Sequence, residues 1–285
     1  MMKILILGAD GQLGFDLMRV FGEKAIGLTH KDVEITDTVQ VTAVIKKHRP
    51  DVVINTAAIV RAEWCEINTE KCFAVNAYGA QNVAKVATEA GAAIVFISTD
   101  YVFDGSKNGF EESDPVNAIN VYGASKVRGE ELTAVANKAH YIIRSSWFFG
   151  SNLPHKGLDF PRKILELARS QPEIRVVNDQ FGSPTYTKDL AEKIKELIEK
   201  RAPFGIYHIT NQGVASWYDF AKEILRFSGT DTKLKAISST ESRSGLKRPR
   251  NSILKNTKFQ ELGIALLREW PEALKEYLGE LNNFQ

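Results

Sequence analysis

Five short apolar runs, most of them followed by a helical pattern, constrain this chain more than any other feature. The runs at 3–7, 25–28, 52–55, 92–98 and 141–146 are continuously apolar rather than alternating. A strand of that kind is buried on both faces, as when helices cover both sides of a parallel sheet. The segments 12–22, 39–48, 70–90 and 122–137 carry helical patterns that supply the cover. Pro50 stops the second of these, and Gly91 is placed to cap the third. The expected class is α/β, a doubly wound parallel sheet whose ligand sites lie at the carboxyl ends of its strands.

Beyond about residue 150 the rhythm breaks. Strands are expected at 175–177 and 205–209 and helices at 190–200, 218–227 and 270–277, with 237–254, rich in Ser, Arg, Lys and Pro, as a loop. A chain of 285 residues, 44% hydrophobic, has room for one main domain and a smaller one. The expected division is 1–150, with a segment near 175–210 returning to it, and 151–285 as mainly a smaller α/β lobe. A net charge of +2 gives no electrostatic reason to invoke nucleic acid or an anionic membrane. The apolar N-terminus meets Gly8 too soon for a signal segment or a membrane span, so a cytoplasmic protein is expected. Cys65 and Cys72 fit buried core thiols of a reducing compartment.

Gly8-Ala9-Asp10-Gly11-Gln12-Leu13-Gly14 follows the first strand directly and opens a helix. The glycine spacing alone is a weak signal. In that position it permits a tight turn and close approach of a pyrophosphate to a helix N-terminus, the Rossmann-type way of holding a dinucleotide. Gly8, Gly11, Gln12, Leu13 and Gly14 are therefore candidate cofactor residues. The end of the second strand, Thr29-His30-Lys31-Asp32, would meet the cofactor's 2′ group. His30 and Lys31 favour NADPH, and Asp32 leaves NADH open.

Tyr122 and Lys126 share a helix face at i and i+4, 23 residues (122 − 99) or more beyond Thr99, which ends an apolar strand. Carbonyl reduction needs a hydride from the nicotinamide and a proton for the nascent alkoxide. A phenol titrates near 10, and a neighbouring ammonium would stabilise its phenolate. Thr99 can place the substrate oxygen, and Asn76 is a candidate to carry a relay water. A second Tyr-x-x-x-Lys, Tyr218 to Lys222, lies among Trp217, Phe220, Ala221, Ile224 and Leu225 and reads as structural. The histidines at 30, 48, 140, 155 and 208 lack ligand spacing, so no metal is expected.

Taken together, these segments resemble the extended short-chain dehydrogenase/reductases, and more narrowly the dTDP-4-dehydrorhamnose reductase family. The likeness rests on Gly11-Gln12-Leu13-Gly14, the stretch from Ser98-Thr99-Asp100-Tyr101 to Gly105, Tyr122-Gly123-Ala124-Ser125-Lys126 and Ser145-Ser146-Trp147. Asp179-Gln180-Phe181-Gly182-Ser183-Pro184-Thr185 and Arg248-Pro249-Arg250-Asn251-Ser252 extend it nearly to the end of the chain. The resemblance implies Thr99, Tyr122 and Lys126 as the catalytic set, with Lys126 also on the nicotinamide ribose. It implies Asn55, Ala57 and Ala58 along the cofactor, and Thr99, Asp100, Tyr101, Trp147 and Arg248 around a nucleotide-sugar substrate. The implied reaction is NADPH-dependent reduction of the C4 ketone of dTDP-4-dehydro-L-rhamnose, with a homodimer left open.

Two alternatives stay beside it. One is a reductase or epimerase of another nucleotide-linked keto sugar; the other is a regulatory subunit similar to the β-subunit of methionine adenosyltransferase. The chain also departs from the family at Ile59 and Val60, where an aromatic residue and a threonine are usual, at Glu63, where aspartate is usual, and at Gly245-Leu246-Lys247, where smaller residues are usual.

Overall fold

The apolar runs assemble as a six-stranded sheet in the computed structural model, which describes residues 2–152, 157–242 and 245–282. The strands are β1 (Ile4–Leu7), β2 (Ala25–Leu28), β3 (Val52–Asn55), β4 (Ala93–Ile97), β5 (His140–Arg144) and, after four shorter or outlying ones, β10 (Gly205–His208). Their order is β10-β5-β4-β3-β1-β2 and every pairing is parallel. The chain builds outward from β1 to β2, then reverses to β3. Register aligns Leu7 with both Leu28 and Asn55, so three strand ends meet at that switch point.

Alternate residues of each strand enter different cores. Ile4, Ile6, Ile54, Val95 and Ile143 pack with α1 (Gln12–Phe21) and α8 (Thr187–Glu199) through Leu17, Phe21, Leu190 and Ile194. Leu5, Leu7, Val53 and Ile94 face α2 (Thr38–His48) and α5 (Ala80–Glu89) through Val41, Ile45, Val83 and Ala87. Helix ends follow from local chemistry. Asp37 caps α2 by accepting from the N–H groups of Val39 and Gln40, which satisfies donors with no partner inside the helix. Gly91, at φ +72°, ends the third expected helix, with its N–H on Thr88 and that of Ala92 on Ala87.

That helix is not uniform. α3 (Ala62–Ile67) and α4 (Thr69–Phe73) precede a π turn at Ala74–Gly79, which runs on into α5. The sixteen-residue α6 (Val121–Ala136) begins at Asn120, whose side chain accepts from Gly123 N–H at 2.8 Å.

A second core joins Phe149, Ile164, Ile174, Tyr186, Phe220, Ile224, Trp270, Leu274 and Tyr277. It is built from α7 (Phe160–Ser170), α9 (Trp217–Ser228) and α11 (Trp270–Asn282), with α10 (Thr257–Glu261) outside it. The small strands are β6 (Phe148–Phe149) on β9 (Thr185–Tyr186), β8 (Phe181–Gly182) on β11 (Ala215–Ser216), and β7 (Glu173–Val177) on β12 (Lys233–Ile237). α3, α7, α10 and β12 are additions to what the sequence pattern suggests. The expected loop at 237–254 has no helix among its described residues; 243 and 244 lie outside them, as does His155.

Candidate active site

The glycine loop turns tightly because of contacts that leave no room for a side chain. Gly8 has φ +81°, and a Cβ there would lie 2.7 Å from Thr56 Oγ1. At Gly14 it would lie 2.2 Å from the Gly8 carbonyl oxygen. The N–H groups of Gly8 and Ala9 both donate to Leu28 O, tying the loop to the end of β2. Gly11 caps α1 with no side chain over the N–H groups, so the partial positive charge of the helix end faces outward. Leu13 turns its side chain into the core, leaving its backbone for any ligand. Gln12 donates from Nε2 to Asp159 at 3.2 Å.

A dinucleotide fits this cradle. Beside it Asn55, 1% exposed, accepts from Ala57 N–H at 3.1 Å, while its buried Nδ2 has no hydrogen-bond partner. A buried donor left over at a strand end is what a ligand would satisfy. His30 and Lys31 are exposed past β2, with His30 Nδ1 3.4 Å from Glu34. Asp32 is turned back on Thr29, accepting from its N–H and hydroxyl at 2.8 Å each.

Thr99, Asp100 and Tyr122 meet at the carboxyl end of β4. Thr99 Oγ1 donates to Asp100 Oδ1 at 3.0 Å and accepts from Tyr101 N–H at 3.2 Å. Thr99 also hydrogen-bonds the Tyr122 phenol, whose titration is raised well above its usual range, chiefly by burial. Burial likewise pushes the Asp100 carboxyl up to about 6, against hydrogen bonds from Ser252 and Thr99. Tyr101 lies edge-on to Tyr122, with ring centroids 5.9 Å apart.

Lys126 shares the face of α6 with Tyr122, as the spacing predicts. The expected ammonium–phenol contact takes another form, because a buried ammonium needs an acceptor and β4 supplies one. Nζ donates to Ile97 O at 2.5 Å and lies 4.0 Å from the centre of the Phe96 ring. Desolvation pulls it down to about 7, against the charges of Glu130 and Cys72. Burial favours the protonated form of the Tyr122 phenol.

Asn76 also differs from expectation. Its Nδ2 donates to Ile59 O at 2.9 Å and Ser125 Oγ at 3.0 Å, and its Oδ1 accepts from Ile59 N–H at 2.8 Å. It clamps the loop after β3 instead of offering a free amide to a water. Val60, next along that loop, is 57% exposed, so the residue that departs from the family presents an apolar surface where a hydroxyl is usual. Cys65 and Cys72 are buried as expected, and Cys72 donates to Ser125 Oγ at 3.2 Å. The hydrogen bond from Cys65 lowers the Cys72 thiol to about 7.

Glu130 and Arg144 enter from outside the motifs. Glu130 binds Arg144 through Nε at 3.0 Å and Nη2 at 2.7 Å and accepts from Ser98 Oγ at 2.5 Å. This buried network lies directly behind Thr99. A signal existed: Glu130 falls four residues after Lys126 and eight after Tyr122, on one helix face. Arg248 forms an ion pair with Glu63 and a hydrogen bond with the Tyr101 phenol. Trp147 has φ +47°, a conformation costing a non-glycine residue about 1–3 kcal/mol, and it stacks on Trp217. The second motif, on α9, leaves Lys222 exposed and Tyr218 packed against the second core.

A family model described as the RmlD substrate binding domain matches residues 2–283. The chain belongs to that family. Its relatives include the dTDP-4-dehydrorhamnose reductase of Aggregatibacter actinomycetemcomitans, 35% identical over 291 residues, covering 96% of this chain and 98% of that one. Spore coat polysaccharide biosynthesis protein SpsK of Bacillus subtilis is 42% identical over 284 residues, 98% of each chain. The crystal structure of dTDP-4-dehydrorhamnose reductase from Bacillus anthracis in complex with NADP superposes with a TM-score of 0.94 at 34% identity, covering 98% of this chain and 100% of that one. Among the described residues no helix is long and apolar enough to cross a membrane, and no cluster of three metal-ligating side chains occurs.

Proposed function

We propose that this chain uses NADPH to reduce the C4 ketone of dTDP-4-dehydro-L-rhamnose, giving dTDP-L-rhamnose. The observation that carries the reading is the meeting of Thr99, Tyr122 and Lys126 at a strand end beside a glycine cradle. The family relatives named as this reductase, one of them bound to NADP, support the substrate and the cofactor.

Each residue has a role. Gly8, Gly11 and Gly14, with the backbone of Gln12 and Leu13, hold the pyrophosphate. His30 and Lys31 receive the 2′-phosphate, and Asn55, Ala57 and Ala58 line the cofactor. Bound NADPH supplies the hydride. Thr99 donates a hydrogen bond to the ketone oxygen, and Tyr122 passes its phenolic proton to the same atom. Lys126 holds the nicotinamide ribose and charges the site as the phenol loses its proton. Asp100, Tyr101 and Trp147 enclose the sugar, and Arg248 meets the nucleotide phosphates with a planar fork of donors. Residues 1–150 are read as the NADP(H)-binding part, with 175–210 returning to it, and the remainder of 151–285 as the substrate lobe. The cytoplasm is the proposed location and a homodimer the assembly to test by sedimentation.

The test is NADPH consumption with dTDP-4-dehydro-L-rhamnose and identification of the product. Tyr122→Phe should lower kcat roughly 10²–10⁴-fold, the usual worth of a positioned acid, with NADPH affinity unchanged. Wild-type protein that binds NADPH yet reduces none of this sugar would overturn the substrate assignment.

A further inference from the structure

Trp217 lies outside every segment that carries the catalytic chemistry, yet it is bound to the site through one side chain. Its indole stacks on that of Trp147, with centroids 3.5 Å apart and planes 6° from parallel. The Trp147 backbone is left-handed at φ +47°, so something other than its own preference holds it there. The same indole also packs closely on Gly182, where any Cβ would lie 2.5 Å from a Trp147 ring atom. Phe160 backs Trp217 at 4.7 Å between centroids. Trp147 is thus held by close contact with both a glycine and a second tryptophan.

The clamp is built by short-range chemistry. Ala215 pairs with Gly182 across β11 and β8. Ser216 and Asp219 then form a reciprocal capping box that starts α9. Trp217 is the first residue of that helix, so its direction is fixed by the cap and by the strand just before it. Trp147 stands two residues beyond Ser145, whose carbonyl accepts from Asp100 N–H at 3.1 Å. β8 also binds the Arg248 segment, with Phe181 N–H on Arg250 O and Ser252 N–H on Phe181 O, both at 2.8 Å. One clamp therefore joins the end of β5, the basic segment and α9.

We propose that Trp217 is a positioning residue for the sugar: by stacking on Trp147 it holds that indole as a rigid wall of the substrate cleft. This rests on the functional reading above. A stacked aromatic pair is worth enough that its loss should raise the KM for the nucleotide sugar roughly three- to tenfold. The glycine loop follows β1, separated from β5 by β3 and β4 along the sheet, so the Kd for NADPH should stay within about twofold.

The experiment compares Trp217→Leu and Trp217→Phe with wild type. Four quantities are read: KM and kcat for dTDP-4-dehydro-L-rhamnose, Kd for dTDP-L-rhamnose by calorimetry, Kd for NADPH, and circular dichroism. Two stacked indoles give an exciton couplet, which both variants should lose while their thermal transitions remain cooperative. Trp217→Leu should weaken sugar binding and raise KM, and Trp217→Phe, which keeps a stacking ring, should recover most of the affinity. An unchanged sugar Kd in Trp217→Leu with the couplet gone would overturn the proposal. So would equal losses for sugar and NADPH, since that is general loosening. If wild type neither binds dTDP-L-rhamnose nor reduces the ketone, the functional reading fails and this inference falls with it.

Discussion

Replacing Glu130 with glutamine tests whether the buried network behind Thr99 carries charge. Glu130 and Arg144 expose only 6% and 3% of their side chains, and the guanidinium grips the carboxylate through two nitrogens. Glutamine keeps the shape and removes the charge, leaving Arg144 buried without a counter-ion. Breaking a buried pair in this way costs about 3–5 kcal/mol. For a chain of this size that is a fall in Tm of roughly 6–15 °C, read by differential scanning calorimetry. The double change Glu130→Leu with Arg144→Met should restore much of the loss, because apolar groups of similar volume replace the pair without an orphaned charge. A second consequence reaches catalysis. Glu130 opposes the desolvation that pulls Lys126 down to about 7. The other charged or titratable groups facing Lys126 include Cys72 on α4, with Tyr122 on α6. Without the negative charge the neutral amine is favoured, so the alkaline limb of the kcat/KM profile should move to lower pH in both variants. A Tm within 2 °C of wild type for Glu130→Gln would refute an ionised pair. An unmoved alkaline limb would refute the coupling to Lys126.

Three further outcomes follow from the same geometry. Gly14→Ala drives a methyl group against the Gly8 carbonyl and should weaken NADPH about tenfold or more, measured by quenching of tryptophan fluorescence. His30→Ala combined with Lys31→Ala should weaken NADPH roughly fivefold, the scale of exposed charge contacts, and leave NADH untouched, which competitive titration will show. Asp100 binds its proton up to about pH 6 in the fold, against an ordinary value of 3.8, so between those values the folded state holds more protons than the unfolded one. Stability should then decline as pH rises from about 4 to 6, and Asp100→Asn should remove that slope in a series of thermal melts.

The sheet was legible because its strands are short apolar runs that read the same on both faces, and their helices are interrupted by clear stops at Pro50 and Gly91. The π turn at Ala74–Gly79 was not, since an extra backbone residue in a helical turn leaves the apolar spacing almost unchanged. α7 carries ordinary start signals, the Asp159 cap and Pro161 in its first turn, but lies where the strand–helix rhythm has already broken. β12 alternates exposed lysines with apolar residues over only five positions, too few to separate it from a loop. The residues proposed as catalytic were readable as motifs, whereas their supports were not. Glu63 and Arg248 are 185 residues apart, and Glu130 and Arg144 look like ordinary surface charges until the fold buries them. The place of Asn76 was not legible, because its partner is the backbone of Ile59, which no side-chain pattern records.

These supports share a design with a consequence for the cofactor site. The glycine loop is local in sequence, yet its shape is held from the far half of the chain: Asn152 donates to Asp10 O at 2.9 Å and Gln12 donates to Asp159. Asp159 in turn accepts from Tyr277 at 2.6 Å and from Arg162 at 3.1 Å, and Tyr277 is buried in the second core. Losing the Tyr277 hydroxyl would reach the glycine loop through one carboxylate, without touching Thr99, Tyr122 or Lys126. The two ends of the reaction are thus set by different physics: the acid by burial along α6 and β4, and the cradle by a polar chain anchored in α11. Substitutions of Tyr277 should accordingly appear in cofactor affinity before they appear in the proton-transfer step.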